Sequence, residues 1–381
     1  MKPKRFLLAL FLLLALLLPF TSFASPDTPD LAPEAKSALL MEASTGEVLF
    51  EKNADQPLPP ASVTKIMTLL LTMEALDEGK LSMEQKLSVS ETAAGMGGSQ
   101  VYLEPGEQMT VRELLKCVAV ASANDAATVL AEAISGSVES FVAAMNDRAA
   151  ALGMTNSHFE NPTGLDEGTV NHLLSARDIA LMSRELLRHE EIFEFTTIWM
   201  DSIREGAFGL TNTNRLVRFY KGANGLKTGF TTGAGYCMSA TAKRDGMQLI
   251  AVVMSAPTRD SRNKMASGML DYGFAGYALY ADPPETLEGL PLRGGAMETV
   301  SGRCEGISLL LRRGQPAKIT VEKKLPEVLL APLAAGEKLG EKVYYLEGGE
   351  IGRSPIFLTG EAPRIGFAEQ FCRLLENFFP L

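Results

Sequence analysis

Three short motifs, Ser62-Val63-Thr64-Lys65, Ser122-Ala123-Asn124 and Lys227-Thr228-Gly229, follow one another along the chain, and a fold that uses them together must bring three remote segments to one point. Each is weak alone. In this order they supply a serine nucleophile, a lysine one turn away, a second hydroxyl beside an amide, and a second lysine next to a glycine, which outlines an acyl-transfer site. The bland reading makes Ser62 an N-cap, the lysines solvated surface and Ser122 and Asn124 turn formers. It explains each part but not the ordered set.

A serine hydroxyl needs a neighbouring base at neutral pH. At i and i+3 of a helix, Ser62 and Lys65 share a face. Lysine serves as that base only if burial or another cation lowers its pKa from about 10.4, and Lys227 is the candidate cation. Lys227 is equally suited to hold a substrate carboxylate, with Thr228 adding a hydroxyl and Gly229 letting the strand backbone approach the ligand. Ser122 can relay a proton between the leaving amine and a lysine, while Asn124 can contact the substrate backbone amide and help orient Lys65. The backbone N–H groups of Ser62 and Phe230 are the natural oxyanion donors.

Around these motifs the pattern changes period. Residues 38–41 and 47–50 read as strands about a Ser44-Thr45-Gly46 turn, and a proline-rich stretch then stops at a helix with apolar Ile66, Leu69, Leu70 and Met73. Ser62 falls at its N-terminus, where free N–H groups favour negative charge. Helical patterns follow at 111–121, 125–134, 138–152 and 175–189. Strands 236–242 and 248–255 flank an Asp245-Gly246 hairpin turn, and a helix at 261–272 closes the segment. This predicts an α+β domain over 30–280, helices against an antiparallel sheet. Asp282-Pro283-Pro284 marks a boundary, beyond which short strand-like runs predict a small all-β domain over 283–361. The stretch 363–381 puts Ile365, Phe367, Phe371, Leu374, Leu375 and Phe378 on one side of a helix and Glu369, Arg373 and Glu376 on the other. That split predicts an amphipathic helix lying on a membrane surface.

Residues 1–24, with Lys2, Lys4 and Arg5 ahead of an apolar run and Ser22-Phe23-Ala24, read as a signal peptide that places the mature protein outside the cytoplasm. A formal charge of -10 argues against nucleic acid as a partner. Cys117, Cys237, Cys304 and Cys372 lack metal or redox spacing, and His158, His172 and His189 have no carboxylates at zinc-ligand spacing. No metal and no cofactor are expected.

The chain closely resembles the low-molecular-mass penicillin-binding proteins, the serine-type D-alanyl-D-alanine carboxypeptidases of bacterial cell walls. The likeness runs over about residues 36–280 and rests on Pro60-Ala61-Ser62-Val63-Thr64-Lys65-Ile66-Met67-Thr68, Leu103-Glu104-Pro105-Gly106-Glu107, Asn161-Pro162-Thr163-Gly164-Leu165-Asp166, Ser175-Ala176-Arg177-Asp178 and Gly225-Leu226-Lys227-Thr228-Gly229-Phe230-Thr231. It implies a penicillin-recognising serine-peptidase fold that removes the terminal D-alanine from peptidoglycan pentapeptide stems through an acyl-enzyme on Ser62. The implied roles are Lys65 as base, Ser122 as shuttle, Asn124 as orienting amide, Lys227 and Thr228 as carboxylate site, and Arg262 in support of that site. β-Lactam antibiotics are implied ligands, and the small β-domain and terminal helix resemble the family's C-terminal half, at the outer face of the cytoplasmic membrane. Phe230 stands where some members have histidine. Two other readings are a non-hydrolytic penicillin-binding sensor or scaffold, and a β-lactamase-like hydrolase. Against the second, Glu160-Asn161-Pro162-Thr163-Gly164 does not fit the Glu-x-x-Leu-Asn motif of class A β-lactamases.

Overall fold

The computed structural model describes residues 29–314 and 319–378. The expected signal peptide lies outside the described residues. Strands β1 (Ser37–Glu42) and β2 (Val48–Lys52) form the first hairpin, and β3 (Ala223–Thr231), β4 (Gly235–Arg244) and β5 (Met247–Ala256) join them in one antiparallel sheet of order β2-β1-β5-β4-β3. Asp245 and Gly246, both at positive φ, make the tight β4–β5 turn. β3 is thereby an edge strand. Its outer side meets a short 3-10 turn, Ala61–Thr64, that leads into helix α1 (Lys65–Asp77).

Helix α1 is central rather than amphipathic. Lys65, Ile66, Met67, Thr68, Leu69, Leu70, Thr72, Met73 and Ala75 are all buried, so its whole circumference is packed. Helix α2 (Val111–Lys116) packs on α3 (Asn124–Ser135), which with α4 (Val138–Ala151) and α5 (Ala176–Leu186) packs against α1, and α6 (Arg259–Gly276) covers the sheet. Capping fixes where several of these helices begin. Thr110 and Glu113 form a reciprocal box at α2, Ser175 caps α5, and Thr258 caps α6. The helix expected over 111–121 is continuous only to Lys116. A π-helical turn, Cys117–Ala121, follows and ends on Ser122 in the left-handed region at φ 63°.

Between α6 and Leu358 the regular elements among the described residues are all strands: β6 (Tyr277–Asp282), β7 (Glu285–Arg293), β8 (Thr299–Cys304), β9 (Ile307–Arg312), β10 (Ile319–Lys324), β11 (Leu329–Leu330), β12 (Lys338–Leu346) and β13 (Gly349–Leu358). Six of them form a sheet of order β10-β12-β13-β8-β7-β11 around Val300, Cys304, Ile356 and Leu358. β6 and β7 carry no strand expectation from the sequence, yet β6 pairs along its whole length with β9. At this join Lys342 Nζ donates to Asp282 and, at 3.0 Å, to Glu285, and the Tyr344 hydroxyl donates to Asp282. The last helix is α7 (Phe367–Phe378), with Phe367 and Phe371 exposed.

Candidate active site

Ser62 sits in the turn that opens α1, and the residue before it, Ala61, takes φ 49°. That conformation is strained for a residue with a Cβ. One turn on, Lys65 is fully buried, with Nζ 3.0 Å from Ser62 Oγ and donating to Thr163 O at 2.8 Å. Burial first, and the Lys227 charge second, hold the Lys65 pKa well below the usual lysine value. A neutral amine with one N–H spent on Thr163 O keeps a lone pair that can face the serine proton.

The second motif arrives on the other wall. The left-handed conformation of Ser122 places it at the mouth of α3, and Ser122 Oγ and Asn124 Oδ1 are both buried with no hydrogen-bond partner among the described residues. Buried polar atoms left unpaired in this way are unusual and mark a place where a ligand completes the bonding. Asn124 Nδ2 donates to Gly97 O at 2.7 Å, and the Lys65 amine donates to Thr163 O rather than to Asn124.

The third motif lies along β3. Lys227 is fully buried, donates to Thr228 O at 2.9 Å, and is pushed down to about 7 by burial and by the charge of Arg262. Thr228 Oγ1 donates to Thr213 Oγ1 at 2.8 Å. Arg262, on the first turns of α6, donates to Asn263 Oδ1 and to Cys237 O, and burial and Arg259 lower it to about 10. Gly229 has no room for a side chain: a Cβ there would stand 2.7 Å from Pro60 O and 3.0 Å from Ser62 N. The strand thus touches the Ser62 turn, and the N–H groups of Ser62 and Phe230 come from these two abutting segments. Ser62, Ser122, Thr228, Gly229, Phe230 and Arg262 line one cleft of about 540 Å³. Lys65 and Lys227 are buried beside it.

The family described as D-alanyl-D-alanine carboxypeptidase matches residues 23–258, and that described as penicillin-binding protein 5, C-terminal domain, matches residues 294–364. D-alanyl-D-alanine carboxypeptidase DacF of Bacillus subtilis is 44% identical over 373 residues, 95% of each chain. The chain belongs to the D-alanyl-D-alanine carboxypeptidase family. It is a serine hydrolase with that activity, and its action is on the cell wall. Penicillin-binding protein 5 from Haemophilus influenzae superposes with a TM-score of 0.76 at 29% identity, covering 89% of this chain and 100% of that one. Penicillin-binding protein D2 from Listeria monocytogenes, solved with ampicillin bound, gives 0.59 at 34% identity over 65% of this carboxypeptidase and 100% of its own chain.

Several residues that hold the carboxypeptidase site together are not in the three motifs. The segment 161–164 docks on α1: Thr68 Oγ1 donates to Pro162 O at 2.6 Å, and Asn161 Oδ1 receives the N–H groups of Thr163 and Gly164. A Cβ on Gly164 would collide with Ala61 O. Behind it, buried His172 accepts the Glu160 N–H on Nδ1 at 2.9 Å. That fixes the tautomer, so Nε2–H donates to Thr64 Oγ1 at 2.8 Å, which donates in turn to Ala61 O at 2.9 Å. Burial lowers His172 to about 4, which keeps it neutral in this relay. The sequence signal for this support was the Asn161-Pro162-Thr163-Gly164 run itself, whose contacts cannot be read from spacing.

Proposed function

We propose that this carboxypeptidase removes the terminal D-alanine of peptidoglycan pentapeptide stems by way of an acyl-enzyme on Ser62. The observation that carries the reading is the fully buried Lys65 amine, 3.0 Å from Ser62 Oγ with its pKa held well below the ordinary value. Neutral Lys65 takes the Ser62 proton as Oγ attacks the penultimate carbonyl, and the Ser62 and Phe230 N–H groups stabilise the oxyanion. Ser122 passes a proton to the departing amine. Asn124 holds the substrate backbone, while Lys227, Thr228 and Arg262 receive the terminal carboxylate. Water then hydrolyses the acyl-enzyme.

A β-lactam would acylate the same serine, a reading supported by the likeness to the ampicillin-bound Listeria protein. We read residues 1–24 as a cleaved export signal, 30–280 as the peptidase domain, 283–361 as the β-domain and 363–381 as a helix that rests on the outer face of the cytoplasmic membrane. Supporting the last point, Phe367 and Phe371 are exposed with their rings stacked 6.5 Å apart. The test is direct. Benzylpenicillin should add one drug mass to the peptide containing Ser62, and the enzyme should release D-alanine from a pentapeptide. An adduct elsewhere, or an adduct that survives Ser62→Ala, would remove the mechanism; adduct without release would make the protein a sensor.

A further inference from the structure

The chain carries 46 acidic and 36 basic residues, yet no aspartate or glutamate lines the active-site cleft, whereas Arg215, Arg259 and Arg262 all do. One cation beside Lys227 and Thr228 suffices for a single terminal carboxylate, and Arg262 is that cation, half-spent on Asn263 and Cys237. Arg215 and Arg259 are surplus. Among the described residues Arg112, Arg148, Arg177, Arg204 and Arg353 are each held against carboxylates, whereas Arg218, Arg293, Arg312 and Arg364 are not; what sets Arg215 and Arg259 apart is their place in the cleft lining. Neither Arg215 nor Arg259 makes a side-chain hydrogen bond or ion pair among the described residues.

Their positions say what they face. Arg259 precedes Arg262 by one turn on α6, close enough for its charge to act on that guanidinium. Arg215 follows Thr213, the partner of Thr228, by two residues. Its guanidinium lies over the Phe219 ring at 5.6 Å, and Phe219 is braced edge-on by Trp199 at 5.8 Å. Stacking holds the planar group and leaves its N–H fork free for an anion. Both arginines therefore flank the place where the departing residue puts its carboxylate, a placement that rests on the carboxylate-site reading above.

We propose that the leaving-group end of the cleft is a dianion site, in which Arg215 and Arg259 bind a second carboxylate carried on the side chain of the C-terminal residue. The substrate class is a peptide ending in D-Ala followed by a dicarboxylic D-amino acid. The bond broken is the same amide: the acyl group passes to Ser62 Oγ, the amine of the dicarboxylic residue leaves with a proton, and water regenerates the serine.

The test compares two peptides with a common acyl part, ending in D-Ala-D-Glu and D-Ala-D-Gln, which differ in charge and hardly in shape. The wild-type kcat/KM, followed by release of the C-terminal amino acid, should favour D-Glu by about tenfold at low salt, the worth of one charge-assisted hydrogen bond. That ratio should shrink as salt is raised and fall to about one in the Arg215→Gln/Arg259→Gln double variant. A wild-type ratio at or below one, or a ratio that the double variant leaves intact, overturns the proposal. Loss of turnover of an ordinary D-Ala-D-Ala peptide by the wild type would overturn the carboxypeptidase mechanism instead. The salt series on the wild type decides the matter even if the double variant folds poorly.

Discussion

Replacing Gly229 by alanine pushes β3 away from the nucleophile without touching any group that reacts. The added Cβ would sit 2.7 Å from Pro60 O, 3.0 Å from Ser62 N and 3.1 Å from the Ala61 Cβ, where ordinary contact begins at 3.4 Å. The strand and the turn must part by about 0.7 Å, the difference between 3.4 and 2.7 Å, and on the proposed mechanism they hold one oxyanion donor each. Displacement on that scale, or loss of one donor, costs about 10²-fold in rate, or about 2.7 kcal/mol of barrier. The second-order rate of benzylpenicillin acylation should therefore fall about a hundredfold in Gly229→Ala, with a loss of stability of about 1–3 kcal/mol from overpacking. Gly268→Ala, on α6 with no atom within 4 Å of its added Cβ, is the control. Rapid-mixing acylation with thermal melts on both variants settles it. Acylation of Gly229→Ala within threefold of wild type would refute the view that strand and turn form the oxyanion site by direct contact.

If neutral Lys65 is the base, the acylation rate should rise with pH through an apparent value well below that of a free lysine. Lys65→Arg should nearly abolish acylation because guanidinium stays charged; persistent acylation in that variant would assign the proton to another group. Lys227 goes from about 10.5 unfolded to about 7 folded, so the unfolded chain binds more protons in that window and stability rises with pH across it. Lys227→Met should stabilise the fold at about pH 6 by up to a few kcal/mol, read as a higher melting temperature, and the gain should shrink towards pH 10; a pH-independent gain would exclude the buried-charge explanation. Deleting 363–381 should free the protein from liposomes while acylation is unchanged, and a full-length protein that never sediments with liposomes would make α7 a packing element.

Several helices are legible because they carry a start signal, as at Thr258 and Ser175, whereas α1 and α3 have no side-chain cap and show only in their runs of apolar residues. The hairpin β4–β5 announced itself through Asp245-Gly246. Strands β6 and β7 did not, because Pro283-Pro284 and Pro291 read as breaks, and β6 is fixed by pairing with β9 rather than by its own pattern. At the site, residue types and their order are enough to single out Ser62, Lys65, Ser122, Asn124 and the β3 lysine as candidates; Ser62 and Ser122 line the cleft, and Ser62 meets the buried Lys65 at 3.0 Å. The partners that orient them were not readable: Thr163 O reaches Lys65 across 98 residues, and His172 reaches Thr64 across 108. Nor does the sequence reveal that Ser122 lies in a left-handed conformation, which is imposed by the π-helical turn before it.

The Ser62 turn is clasped between two glycines, Gly229 on β3 and Gly164 on the 161–164 segment, each pressed against the Pro60–Ala61 backbone. This has a bearing on drug resistance. A target that evades β-lactams by point mutation needs positions near its nucleophile where side chains can change size, and here both flanks accept only hydrogen. Any substitution there damages turnover of the natural peptide along with drug capture. Escape variants are expected on the rim instead, at exposed Phe230 and Arg215 or half-buried Tyr236, which border the cleft without bracing the serine.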